Sequence, residues 1–313
     1  MSAKLLKSAF VISAMTLLSR ISGLIRDVLF ANILGSQAAA DAFFVAFRLP
    51  NFFRRIFGEG AFAVAFVPVF SEYRIKHPPD DTRRFLELMT GRFGLTLLLV
   101  TLVGVLAAPA LVAAIAPGFL NDPEKYRLAV DASRITFPYL FFISLVAMSA
   151  GMLNSCDRFA APAATPVLLN LSLIGAALFL VPVVGNATIA LSIGVLVAGL
   201  AQLLFQLPFL KKEGLVVKPR VARREGDEIG AAGVKQVLRL TLPALFGVSV
   251  AQINVLVNTL LASFLATGSI SWLYYSDRLM EFPVGVFGIA LSTAILPHLS
   301  RKHTNAAMDS FSH

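Results

Sequence analysis

Long apolar runs separated by short polar segments dominate this chain of 313 residues. Five of them, at 93–116, 135–153, 163–184, 187–210 and 241–267, match the roughly 20 residues an α-helix needs to cross the hydrocarbon core of a bilayer. Three more, at about 8–33, 42–70 and 271–298, are equally apolar but are interrupted by charges. None alternates with period two, as the strands of a membrane barrel do. The pattern therefore predicts an all-α, polytopic transmembrane bundle of about eight helices.

Composition agrees and narrows the chemistry. Hydrophobic residues make up 57% of the chain and charged ones only 14%, with a mean hydropathy of +0.77. Soluble domains carry roughly a quarter charged residues. The lone Cys156 excludes an intramolecular disulfide or a multi-cysteine metal centre, and four scattered histidines show no ligand spacing, so neither a metal nor a cofactor is expected. Lys4 and Lys7 ahead of an apolar run look like a signal peptide, but no small-residue cleavage site precedes Arg20. An uncleaved first helix is the reading.

Charge also sets an expected orientation. With the N-terminus in the cytoplasm, 18 of the 27 Lys and Arg fall in cytoplasmic segments and 3 (Lys125, Arg127, Arg134) on the opposite face. Such a split is the positive-inside signature. The run from Lys218 to Arg224 reads as a solvated juxtamembrane loop near acidic headgroups rather than a nucleic-acid contact.

The chain resembles itself at an offset of about 230 residues. Ala31-Asn-Ile-Leu-Gly35 lies against Ala262-Ser-Phe-Leu-Ala266, Arg48-Leu-Pro-Asn-Phe52 against Arg278-Leu-Met-Glu-Phe282, and Pro68-Val-Phe-Ser71 against Pro297-His-Leu-Ser300. Six helices separate the copies, so both enter the membrane in the same direction, the parallel-repeat arrangement of some transporters. The expected organisation is an N-terminal lobe at 1–212, a basic cytoplasmic loop at 213–235, and at 236–313 the first two helices of a second lobe.

The candidate chemistry lies in six arginines placed inside predicted spans: Arg20, Arg26, Arg48, Arg54, Arg55 and Arg278. A charge at membrane depth costs about 3 kcal/mol even on the lenient insertion scale, so each must face a protein-lined or wet interior. Four acids accompany them: Asp27, Glu59, Asp277 and Glu281, with Asp41 near the outer loop as a fifth candidate partner. Arg48, Asn51, Arg55 and Glu59 share one helical face, with Arg54 pointing elsewhere, while Ser19 and Arg26 are seven apart, as are Arg20 and Asp27. Some pairs pin helices together, and Arg48 and Arg55 are assigned to that network. The cation surplus left over suits an anionic ligand, because a guanidinium donates two hydrogen bonds at once to a phosphate.

The same residues carry a family resemblance. Thr16-Leu-Leu-Ser-Arg20, Gly23-Leu-Ile-Arg-Asp27, the Asp41–Phe47 stretch, the Leu49–Phe62 stretch, Ile135-Thr-Phe-Pro-Tyr139, Gln206-Leu-Pro208 and the run Ser271 to Pro283 resemble the MurJ/MviN family of bacterial lipid II flippases. The resemblance implies a fourteen-helix fold of the multidrug/oligosaccharidyl-lipid/polysaccharide exporter superfamily, in which a cationic cavity alternates between inward-open and outward-open states. It implies a multi-pass protein of the bacterial inner membrane, without enzymatic activity or cofactor. Its ligand would be lipid II, the undecaprenyl-pyrophosphate-linked disaccharide pentapeptide, moved from the cytoplasmic to the periplasmic leaflet for peptidoglycan synthesis. By motif match the substrate-binding residues would be Arg20, Arg26, Arg54 and Arg278, with Ser19 and Asn51 beside them. Asp27, Asp41, Arg48, Arg55, Glu59, Asp277 and Glu281 would form the charge and gating network. Membrane lipids and cell-wall synthesis proteins are the expected partners of a monomer. The family's later helices have no counterpart, so a truncated form is expected.

Three other readings stay open. A drug or polysaccharide-lipid exporter of the same superfamily would favour an acid-rich, aromatic cavity for a cationic drug. A membrane enzyme would need a nucleophile, histidine or acidic cluster at the interface, and none stands out. A non-transporting fragment with a structural role needs no cavity chemistry at all.

Overall fold

The computed structural model describes residues 3–55 and 61–280. Every regular element among them is helical: α1 (Ala3–Leu34), α2 (Ala38–Phe53), α3 (Ala61–Lys76), α4 (Pro79–Leu106), α5 (Ala108–Ile115), α6 (Pro123–Thr136), α7 (Tyr139–Asn154), α8 (Ala160–Gly175), α9 (Val181–Val184), α10 (Ala187–Lys212) and α11 (Glu228–Ser263), then α12 at 269–280. Five helical segments are long and apolar enough to cross a membrane: Ala9–Leu34, Pro79–Leu106, Pro123–Asn154, Ala160–Val184 and Ala187–Lys212. The pair Glu228–Ser249 and Gln252–Ser263, bent by 43°, passes the same test together and counts as a sixth when taken as one span. The expected second span is divided between α2 and α3, and the eighth begins with α12. Glu59 and Glu281 lie outside the described residues.

Proline and short polar caps set the breaks. Pro79, Pro109, Pro123 and Pro182 stand in the first turns of α4, α5, α6 and α9, where no backbone donor is lost. Asp122 caps α6 by accepting from the Lys125 N–H at 3.1 Å, and Asn186 caps α10 by accepting from the Ile189 N–H at 3.1 Å. Pro50, Pro68, Pro166, Pro208 and Pro243 lie inside helices, as membrane helices tolerate when neighbours satisfy the freed carbonyls.

Two apolar clusters hold the bundle. One gathers Phe30, Phe43, Phe44, Phe47, Phe119 and Tyr139; the other gathers Phe62, Phe66, Phe70, Phe85, Met148 and Met152. The second is built on an i, i+4 ladder along α3: Phe62, Phe66 and Phe70 stack at 5.2 and 5.5 Å, and Phe93 stacks on Phe62 at 3.9 Å. Val234 and Val237 of α11 belong to this cluster, so α11 starts against α3 and α4. Leucines and valines on the outward faces of α1, α4 and α10 remain exposed, which is the surface a bilayer covers.

The loop between α10 and α11 departs from the expected solvated strand. It ends at Asp227, because α11 starts at Glu228 rather than beyond 235. Arg220 bridges Asp227 (2.5 and 3.0 Å) and Glu87 of α4 (3.3 Å). Arg84 donates to the Gly226 carbonyl at 2.6 Å and Arg92 to that of Val221 at 3.2 Å. The Arg220 backbone lies so close to Gly91 that a Cβ there would meet it at 2.3 Å. Loop and helix thus form a strap; Lys218, Arg223 and Arg224 stay exposed.

Candidate functional site

Two adjoining cavities open where α1, α2, α8, α11 and α12 meet. The larger, of about 930 Å³, is lined by Ser19, Arg20, Arg26, Asp27, Asn170 and Arg278 among others. The smaller, of about 210 Å³, is lined by Arg48, Asn51, Arg54, Gln252, Asp277 and others. Arg26, Arg55 and Arg278 line both. All six residues expected to bind ligand therefore border this space.

Arg26 sits at its centre and is 4% exposed. Its Nε and Nη2 donate to Asp27 Oδ1 at 2.9 and 2.7 Å, and its Nη1 donates to Asn170 Oδ1 at 2.8 Å. The Tyr274 hydroxyl lies 3.3 Å from both Arg26 Nη2 and Asp27 Oδ1. Arg278 Nε stands 3.8 Å from Asp27 Oδ2 and packs over the Tyr274 ring at 5.3 Å. One carboxylate thus serves two guanidinium groups from different helices. Arg20, half-buried on the larger cavity's wall, makes no side-chain hydrogen bond or ion pair among the described residues. The two cavity linings together hold six arginines and two carboxylates, Asp27 and Asp277, among the described residues.

On α2 the arrangement corrects one expectation. Arg54 does not point elsewhere: its Nε donates to Asn51 Oδ1 at 3.2 Å, and it shares the smaller cavity with Arg55. Residues 54 and 55 take π-helical backbone, and both side chains line the smaller cavity. Arg48 donates to the Thr259 hydroxyl and Arg55 to Gln252 Oε1 at 3.5 Å, so both reach α11 through neutral partners.

Asp41 makes its direct contacts away from the arginines. At 1% exposure it accepts from Lys125 Nζ and the Gly268 N–H, both at 2.8 Å, and from the Ser271 N–H and hydroxyl at 2.9 and 2.6 Å. Gly268 takes φ +99°, and a Cβ there would meet the Ser36 carbonyl at 2.3 Å, so this knot requires glycine. Lys125, expected in an outer loop, is 7% exposed. Asp41 and Ser271 are 230 residues apart, as are Phe44 and Tyr274, whose rings stack at 4.0 Å. Residues that the internal offset makes counterparts therefore touch each other between α2 and α12.

Sequence reasoning did not single out Asn170 or the α8 wall. Asn170 is 5% exposed; its Nδ2 donates to the Ser19 carbonyl at 2.9 Å and to Ser22 Oγ at 3.0 Å while its Oδ1 holds Arg26. The one amide side chain in a span otherwise built of apolar and small hydroxyl residues was the available signal.

Fold and site define a multi-pass helical membrane protein with a cation-lined internal chamber. The family described as lipid II flippase MurJ matches residues 30–313. A relative from Vibrio cholerae, described as a probable lipid II flippase MurJ, is 49% identical over all of this chain and 60% of its own length. One from Burkholderia cenocepacia, described as lipid II flippase MurJ, is 42% identical over 98% of this chain and 59% of its own. A solved structure described as lipid II flippase MurJ in the inward closed conformation superimposes with a TM-score of 0.77 at 31% identity, covering 95% of this chain and 60% of that one. The chain belongs to the MurJ family, and it spans about 60% of the length of these relatives.

Proposed function

We propose that this chain forms the headgroup-binding chamber of a lipid II flippase in the bacterial inner membrane, with its N-terminus in the cytoplasm. The carrying observation is the excess of arginine over carboxylate around the paired cavities. Arg20 and Arg278 take the pyrophosphate, with Arg54 reaching it from α2 and Ser19 and Asn51 adding neutral contacts. Arg26 is held by Asp27 and Asn170 and supplies a fixed positive centre rather than a mobile clamp. The polyprenyl tail stays in lipid beside α1 and α12. Translocation needs two arrangements of the helices and no bond chemistry. In this reading Asp27, shared between Arg26 and Arg278, gives up Arg278 when phosphate arrives, while the Asp41 knot and the pairing of Arg48 and Arg55 with α11 hold the halves in register. The membrane potential, worth about 2.3 kcal/mol per charge per 100 mV, is one source of drive.

Support for this reading comes from the family, from the cation excess and from basic residues concentrated on one face of the predicted topology. Lipid II binding to the chain in nanodiscs, followed by native mass spectrometry, tests it. Each of Arg20→Ala and Arg278→Ala removes charge-assisted hydrogen bonds of about 1.5–3 kcal/mol, so affinity falls by about tenfold or more. Unchanged affinity in both variants rejects the assignment.

A further inference from the structure

Behind the α8 wall lies a polar seam that the chamber chemistry does not use. Gln202 and Gln206 sit one turn apart on the same face of α10, at 2% and 0% exposure. The Gln206 amide has no hydrogen-bond partner at either its oxygen or its nitrogen, and Gln202 Oε1 has none either. Exchanging the two ends of the Gln206 amide leaves the inventory the same, so the observation does not depend on how that amide is oriented. On α7, which packs along α10, the Ser144 hydroxyl is also buried and unpartnered. Burying an amide without a partner is strongly unfavourable, and more so at membrane depth.

We propose that α10 carries an internal water site, held by the Gln202 and Gln206 side chains inside the helical bundle. The chemistry selects water over an ion. The unpartnered set contains amide and hydroxyl groups that both donate and accept, and no Asp or Glu occurs on α7, α8 or α10 to neutralise a cation. The facing helix explains why water is held there. Gln202 Nε2 donates to the Thr165 carbonyl at 2.8 Å. The Thr165 hydroxyl in turn donates to the Pro162 carbonyl, which has lost its helical donor to Pro166. Ten residues on, α8 widens into a π segment at Ala176–Leu180. The site therefore solvates the back of a helix with an interrupted hydrogen-bond ladder, whose opposite face carries Pro166, Leu169 and Asn170 into the chamber. Water can exchange partners as that wall shifts; a fixed side chain cannot.

Water-edited solid-state NMR of the chain in bilayers, with side-chain ¹⁵N-labelled glutamine, reads this directly. The chain has five glutamines, at 37, 202, 206, 236 and 252, and the Gln206 amide is assigned by its disappearance in Gln206→Leu or, should that variant fail to fold, in Gln206→Asn. The expected result is rapid transfer from water to the Gln206 amide, comparable with that to exposed Gln236. Transfer as slow as that to backbone amides of the aromatic core overturns the proposal. So does a melting temperature that rises by several degrees in Gln206→Leu, since only a dry amide is stabilised by its removal; a lower or unchanged value supports it.

Discussion

At the residue scale, the chamber depends on side chains that hold arginines as much as on the arginines. Asn170 is the clearest case, since one amide ties α8 to α1 and orients Arg26. Asn170→Ala leaves the Ser19 carbonyl, Ser22 and one Arg26 nitrogen short of a partner. The expected loss is about 1–3 kcal/mol, read as a lower melting temperature in detergent. Most of these residues were visible in the sequence because charge is rare at membrane depth, and a rare residue marks itself. Asn170 was passed over because a neutral amide in an apolar run carries no such flag. Asp41 was placed in the charge network, but its partners, Lys125, Gly268 and Ser271, come from two distant segments that no spacing rule connects.

At the element scale, the existence of the apolar spans was legible but their limits were not, since prolines and polar caps start α4 at Pro79 rather than 93, and α11 starts at Glu228 rather than 241. The strap was not legible either, because its basic run reads like any solvated loop until Glu87 and Gly91 are brought beneath it. Gly91→Ala places a Cβ against the Arg220 backbone. The strap then lifts, and limited proteolysis cuts within 213–227 faster than in the parent chain. Acid acts on the same contact. Hydrogen bonding from the Arg220 guanidinium holds the Asp227 carboxyl down at about 2, against 3.8 ordinarily. The folded value lies below the unfolded one, so the stabilisation is complete above pH 3.8 and fades as pH falls through about 2. Pepsin digestion across that interval is expected to open the loop only toward the lower end.

At the scale of the whole molecule, the sequence supplied the membrane class, the internal offset and the cationic interior, all of which are patterns of composition. It did not supply the depth or walls of the chamber, which arise from how α1, α8 and α12 are placed around one another. Their placement makes a clear prediction about access. A cysteine at Ser19, on the chamber wall, reacts with a membrane-impermeant thiol reagent, whereas one at Ile25, on the outward face of α1, does not. Burial raises the thiol pKa of native Cys156, so its background labelling is slow. Biogenesis is the last consequence, and it follows from the bond between neighbours in the chain. Arg26 and Asp27 sit side by side on α1, so their ion pair forms as soon as that helix does, long before Asn170 or Tyr274 has been synthesised. α1 thus brings a neutralising charge of its own to the translocon, which lowers the barrier to threading an arginine into lipid before α8 and α12 exist to receive it.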